Sequence, residues 1–273
     1  SAAVVGGRRP AHRGGRGAAG AAPALSHTMT LHGGAAAHDP LTEASMYDWR
    51  SDWQTRFGRT EPKIVCVGLN YTDHAAEQGA TSPANPMLFA KFANALVGDG
   101  EDIVLSAGLG HVDAEAELCV VIGREAHDVP VDDALDVVYG YLCGNDVSAR
   151  DLQFGDGQWF RGKSQNTFCP IGPAIVPVSE LGDASDLRVV QRLNGVTLQD
   201  SRTSSLIFDV RTLVAFISHA LTLLPGDLIM TGTPEGVGVF RDPKLSLQHG
   251  DVVEVQVEGI GTIRNRVTDL EAR

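Results

Sequence analysis

The stretch His111-Val112-Asp113-Ala114-Glu115-Ala116-Glu117-Leu118-Cys119-Val120-Val121-Ile122 constrains the chain most. From Val112 to Ile122 it alternates as one long strand should, and residues two apart on a strand point to the same side. Glu115 and Glu117 then share one face, while Ala114, Ala116, Leu118 and Val120 share the other. Two adjacent carboxylates repel, and burying even one unpaired charge costs roughly several kcal/mol. No Lys or Arg lies between them, and the next basic residue along is Arg124. Two outcomes are open for this strand alone. It is an edge strand with a solvated acidic face, the usual state of Glu, or it is buried and meets a cation supplied from elsewhere. In the second case a metal is the economical partner, and oxygen-only ligands favour Mg2+, Mn2+ or Ca2+ over zinc.

The rest of the chain supplies short elements to surround that strand. Lys63 to Gly68 reads as a buried strand bounded by Pro62 and a glycine, Met87 to Phe92 as a second, and Tyr139 to Cys143 as a third. Asp73 to Gln78 and Val131 to Val138 suit short helices, and Phe208 to Leu221 carries a helical period. Arg188 to Gln199 is a hairpin about Asn194-Gly195, the dipeptide best suited to a type I′ turn. Asp227 to Met230 and Asp251 to Val267 return to strands, with a turn near Glu258-Gly259. Many short strands with few helices predict a β-rich α+β fold, and the absence of regular βαβ alternation argues against a Rossmann fold or a barrel built that way.

At 273 residues the chain suits one sizeable domain with a small appendage. Residues 1 to about 40 are rich in Gly, Ala, Arg and His, and the first acidic residue is Asp39. That bias suits a transit peptide, but the amphipathic pattern is poor and serine is scarce. A variable N-terminal segment over 1–60 and a catalytic domain over 61–273 are expected. The net charge of -12 supplies no basic stripe for nucleic acid, so any anionic substrate must meet local positive charge in the site. Cys66, Cys119, Cys143 and Cys169 sit in or beside apolar runs without a CxxC pair. They are expected as buried, reduced thiols in a cytoplasmic protein. No apolar run approaches the ~20 residues of a membrane-spanning helix.

A second acidic centre lies in Gly144-Asn145-Asp146-Val147-Ser148-Ala149-Arg150-Asp151-Leu152-Gln153. Asp146 falls at a strand end, where site residues often emerge from a rigid scaffold. If it begins a helix, Arg150 and Gln153 share its face. Alternatively, Asp146 is a helix cap and Arg150 a surface charge. Lys163, after Gly162 and among aromatics, suits a partly buried ammonium aimed at a substrate oxygen. His74 and Glu77 stand at helical i, i+3 spacing, where the carboxylate can orient the ring as a general base, although such pairs are often incidental. Thr231-Gly232-Thr233-Pro234-Glu235-Gly236-Val237-Gly238 makes a tight loop whose hydroxyls or amides could bind a carboxylate. It lacks GK[ST], so it is not a P-loop.

Taken in order, these pieces resemble the fumarylacetoacetate hydrolase superfamily over roughly residues 62–268. The resemblance rests on Val67-Gly68-Leu69-Asn70-Tyr71, Asp73-His74, Phe89-Ala90-Lys91-Phe92, Glu115-Ala116-Glu117-Leu118, Asn145-Asp146-Val147-Ser148-Ala149-Arg150-Asp151, Gly162-Lys163-Ser164 and Thr231-Gly232-Thr233-Pro234. It implies a mixed β-sandwich roll with short peripheral helices, usually a homodimer. It also implies Mg2+ or Mn2+ held by Glu115, Glu117 and Asp146, and a His74–Glu77 dyad that activates water. Lys163 would then bind substrate, with Arg150, Gln153 and Thr233 beside it. Ala116 stands where a larger residue is frequent, and Gln165-Asn166 where Phe-Asp is common, departures that bear on substrate choice.

The expected function is metal-dependent hydrolysis of a C–C bond in an acylpyruvate-type β-diketo acid. The nearest alternative is isomerisation or decarboxylation of a hydroxymuconate-type diacid, decarboxylation of oxaloacetate, or ureidoglycolate cleavage at the same site. An alternative of another class is a catalytically silent metal-binding protein, which should lack one of these residues; all are present.

Overall fold

The computed structural model describes residues 46–270, so the first 45 positions of the expected N-terminal segment lie outside the described residues. Its main sheet has seven strands in the order Met87–Lys91, Ile64–Gly68, Leu228–Met230, Ala116–Ile122, Val138–Asn145, Cys169–Pro177 and Leu96–Gly98. A second sheet of five strands runs Val196–Arg202, Arg188–Leu193, Val252–Val257, Gly261–Asp269 and Ile103–Leu105. Both contain parallel and antiparallel neighbours. Mixed, curled sheets with few short helices make this the α+β fold that the residue pattern predicted.

The two faces of the main sheet are covered differently. One packs Val65, Leu118, Val120 and Ile122 against Val189, Val255 and Ile263 of the second sheet. The same core takes Val210, Leu213, Val214 and Ile217 of helix Val210–Ala220, whose i, i+3, i+4, i+7 spacing makes one apolar stripe. Asp209 caps that helix by accepting a hydrogen bond from the Thr212 N–H. On the other face, Ile64, Cys66, Cys119, Val121 and Met230 pack under Trp49 and Trp53. Those tryptophans come from helix Trp49–Phe57, inside the segment read from sequence as variable. All four cysteines are buried and unpaired, and burial pushes the Cys143 and Cys169 thiols up to about 12. Asn194 and Gly195 both have positive φ, 51° and 78°, as a type I′ hairpin turn requires.

The long strand predicted over Val112–Ile122 is broken. Val112–Asp113 pairs with Ser148–Ala149 in a separate two-stranded ribbon, and only Ala116–Ile122 joins the main sheet. The break is stabilised from a distance. The Glu115 N–H donates to Asn145 Oδ1, and the Glu115 carbonyl accepts from the Asp146 N–H. Both faces of Ala116–Ile122 are buried, which removes the solvated-acidic-face reading. Among the described residues, no helix is long and apolar enough to cross a membrane.

Candidate metal and substrate site

Pairing of Ala116 with Asn145 and of Glu117 with Gly144 brings the start of one strand to the end of its neighbour. Glu115, Glu117 and Asp146 converge there, each offering a ligand oxygen within 4.8 Å of the others. Their exposures are 5 %, 1 % and 0 %, so none is solvated. Asp146 does not begin a helix as the spacing suggested. It lies between two strands, and the helix starts at Arg150 because Ser148–Ala149 is held in the ribbon.

Three cations meet these carboxylates. Lys163 Nζ donates to Glu115 Oε2 at 2.7 Å and to Asp146 Oδ2 at 2.8 Å. Arg150 donates from Nη2 to Glu115 Oε1 at 2.6 Å, from Nε to Asp113 Oδ1 at 2.6 Å and from Nη1 to Gln153 Oε1 at 2.9 Å. Lys91, 1 % exposed, places Nζ 2.6 Å from Asp146 Oδ1. Its three hydrogens go to the carbonyls of Val147, Phe168 and Lys163. The Asp146 contact is therefore an ion pair, which leaves Oδ1 without a hydrogen-bond donor. Burial works against the Glu115 carboxylate, but Lys163 and Arg150 outweigh it and hold its carboxyl well below the usual range. Burial likewise disfavours the Lys163 ammonium, but Asp146 and Glu115 outweigh it and raise its pKa.

Glu117 is the exception. Its side chain accepts one hydrogen bond, from the Gly232 N–H at 2.8 Å, and forms no ion pair among the described residues. Burial, then Asp146 and Glu115, push its carboxyl well above the usual range. Three of the four buried carboxyl groups, counting Asp113, are matched by three cations, so ionisation of the fourth, Glu117, would leave one negative charge in excess. That excess, an Asp146 Oδ1 that accepts no hydrogen bond and three hard oxygen donors fit a divalent cation of the Mg2+ or Mn2+ kind.

Lys91 was not singled out in sequence except as part of a motif; its signal is a charge within an apolar strand. Replacing it by Met takes a donor from the carbonyls of Val147, Lys163 and Phe168, of which Phe168 keeps the Val147 N–H, and removes an ion pair at Asp146. Lys91→Met is expected to cost on the order of 3–5 kcal/mol of folding stability, read from urea unfolding. A midpoint equal to that of the parent protein would contradict this.

Across the cavity from the carboxylates, His74 sits on helix Thr72–Glu77, a residue only 6 % exposed. Nδ1 is 2.8 Å from Glu77 Oε2. A carboxylate acceptor there sets the Nδ1–H tautomer and leaves the lone pair on Nε2. Gln78 Nε2 lies 2.8 Å from that atom, so Gln78 is a further site residue, one helical turn beyond His74 and missed in sequence. Asp113 was missed too, although it occupies the alternate position next to Glu115; it holds Arg150 and accepts from the Val239 N–H. The glycine loop does not leave the amides of Gly232 and Gly236 for a ligand. Gly232 donates to Glu117 and Gly236 to Glu77 Oε1 at 2.9 Å, so one loop braces both halves of the site. Thr233 Oγ1 donates to the Ala116 carbonyl and accepts from Gln199 Nε2.

His74, Gln78, the three carboxylates, Arg150, Gln153, Lys163 and Thr233 all line one cavity of about 110 Å³; Glu77 lies behind His74. Its outer wall is aromatic and apolar, including Trp159 and Phe240, whose ring lies 5.9 Å from that of His74. A Cβ at Gly68 would come within 2.6 Å of Trp159 and 2.7 Å of Met87, so glycine there permits this wall to close up.

A curled mixed sheet carrying a buried three-carboxylate centre beside a buried histidine defines an α+β chain with one candidate small-molecule site. The chain belongs to the fumarylacetoacetate hydrolase family: residues 63–268 match the family described as fumarylacetoacetate (FAA) hydrolase C-terminal. Over 207 residues it is 44 % identical to the mitochondrial oxaloacetate tautomerase FAHD2A of Bos taurus, covering 75 % of this chain and 66 % of the relative. The chain thus spans just under two thirds of that protein. The 2-hydroxyhepta-2,4-diene-1,7-dioate isomerase structure from Mycobacterium marinum is 46 % identical with a TM-score of 0.68, over 76 % of this chain and 75 % of that one. The fumarylpyruvate hydrolase structure from Pseudomonas aeruginosa, in complex with Mn2+ and pyruvate, is 33 % identical with a TM-score of 0.68, over 76 % and 89 %. Tautomerase, isomerase and hydrolase are all represented among these relatives.

Proposed function

We propose that the protein is a Mg2+- or Mn2+-dependent hydrolase that cleaves the C–C bond of an acylpyruvate-type β-diketo acid. The observation that carries this reading is that His74, hydrogen-bonded to Glu77 behind it, lines the same cavity as Glu115, Glu117 and Asp146. Those three carboxylates would hold the ion, which when bound supplies Lewis-acid polarisation of the keto-acid oxygens. The residues of the chain account for the rest. His74 Nε2 takes a proton from a water that attacks the distal carbonyl, and Glu77 stabilises the imidazolium. Gln78, which now contacts Nε2, moves aside to admit that water. As the C–C bond breaks, its electron pair leaves with the pyruvate-like fragment, whose developing charge meets the Lys163 ammonium. The proton on His74 returns to that fragment. The free Nε2 of Gln153 and the remaining N–H groups of Arg150 orient the substrate, while Thr233 acts by bracing the strand between the glutamates.

A second reading is favoured by the tautomerase and isomerase among the relatives. In it His74 shuttles a proton between substrate atoms and no water is placed. A turnover screen separates the two. Acylpyruvates, fumarylpyruvate, oxaloacetate, hydroxymuconate-type diacids and ureidoglycolate would each be tested with and without Mg2+ and Mn2+. Full activity of a Glu115→Ala variant after EDTA treatment would sink the metal-dependent proposal. Independently of turnover, Mn2+ at about 100 times its Kd should stabilise the fold by about 2.7 kcal/mol. For a domain of this size that is a rise in Tm of roughly 5–10 °C, absent with Ca2+-free EDTA buffer.

A further inference from the structure

The cavity is sharply divided in polarity. Every charged group lining it is at the inner end, and each is a candidate metal ligand or is already paired with one. Its outer wall is formed by Leu69, Met87, Phe89, Phe154, Trp159 and Phe240. Three of these, Met87, Phe154 and Phe240, are 40 %, 57 % and 40 % exposed, an apolar rim that a ligand would cover. The basic residues that line the cavity are Arg150 and Lys163, both paired at the inner end, and the two arginines adjoining the rim in sequence are committed elsewhere. Arg161 makes a two-point pair with Asp156 at 2.6 and 2.5 Å. Arg241 donates to the carbonyls of Gly236 and Leu198. The chain's net charge of -12 offers no compensating field for a second anion.

We infer that the distal group of the substrate is uncharged and apolar, so that the site selects 2-keto acids with an alkyl or aryl tail and rejects those ending in a second carboxylate. This rests on the reading of the inner end as a keto-acid site. It separates this chain from the relatives named above, whose named substrates (oxaloacetate, a heptadiene-dioate and fumarylpyruvate) each carry a second carboxylate. The physical basis is asymmetric. An apolar tail replaces water against six apolar side chains, whereas a carboxylate placed there gives up part of its hydration and meets no cation among the residues of that wall.

The test needs no turnover. Binding of 2-oxohexanoate and of 2-oxoglutarate, similar in length but differing in the distal group, would be measured by calorimetry on the Mn2+-loaded protein. The monoacid should bind at least about thirty-fold more tightly. Phe154→Arg, a change at an exposed rim position, should narrow that ratio at least about ten-fold by supplying a distal cation. Equal or tighter binding of 2-oxoglutarate to the parent protein would overturn the inference, whatever reaction the enzyme performs. Preference for 2-oxohexanoate in the absence of any hydrolytic turnover would keep the inference and remove only the hydrolase reading. If neither acid binds, the keto-acid reading of the inner end fails and this inference falls with it.

Discussion

Asp146→Asn should abolish the response to metal and lower kcat/KM by about three orders of magnitude or more, since it removes one of three converging ligands. The substitution keeps the volume of the side chain, so packing is not the reason for the loss. It also deletes the negative partner of Lys91 and Lys163, which are 1 % and 2 % exposed. Leaving two buried ammonium groups short of charge should cost on the order of 3–5 kcal/mol of stability. Both effects are measurable on one preparation: turnover against Mn2+ concentration, and Tm with and without Mn2+. A variant whose Tm still rises with Mn2+ and whose turnover stays within about ten-fold of the parent would show that the ion is held elsewhere.

His74→Ala should separate chemistry from binding. Loss of a positioned general base lowers a hydrolytic rate by about 10²–10⁴-fold. The three carboxylates and their cations make no hydrogen bond to His74, so Mn2+ should stabilise this variant as it does the parent. The substrate profile then discriminates between mechanisms. If hydrolysis falls while tautomerisation or decarboxylation persists at the parental rate, water activation is the role of the dyad and the remaining site suffices for carbonyl chemistry. If hydrolysis is unaffected, water is activated without His74 and the proposed mechanism is wrong. A Tm response lost along with activity would instead place His74 in holding the ion.

The legible parts of this protein were those governed by short sequence spacing. Glu115 and Glu117 turn to the same side because they stand two positions apart, and that relation survives the break at Ala114–Glu115. The His74–Glu77 contact follows from one helical turn, as does the bond between Arg150 and Gln153. The helix Val210–Ala220 and the Asn194-Gly195 hairpin were marked by periodicity and by turn chemistry. Helix Trp49–Phe57 was passed over, although Trp49, Trp53 and Phe57 recur every four residues. The rest of its surface is polar, and the mark is short: two tryptophans are buried in the core and Phe57 packs against it.

What the sequence by itself determined is therefore the set of donors: three carboxylates, a histidine with its orienting glutamate, and a lysine and arginine to meet an anion. The tertiary structure alone decided their state. The sequence leaves Glu115 and Glu117 open to water or burial, and Trp49, Trp53 and the second sheet cover both faces of the strand. Asn145 and the Asp146 N–H end that strand from thirty residues away, and Lys91 crosses from another strand to meet Asp146. The glycine loop, expected to hold a ligand's carboxylate, spends two of its amides on Glu117 and Glu77. Desolvation and charge pairing depend on distances between residues far apart in the chain, so no local pattern encodes them.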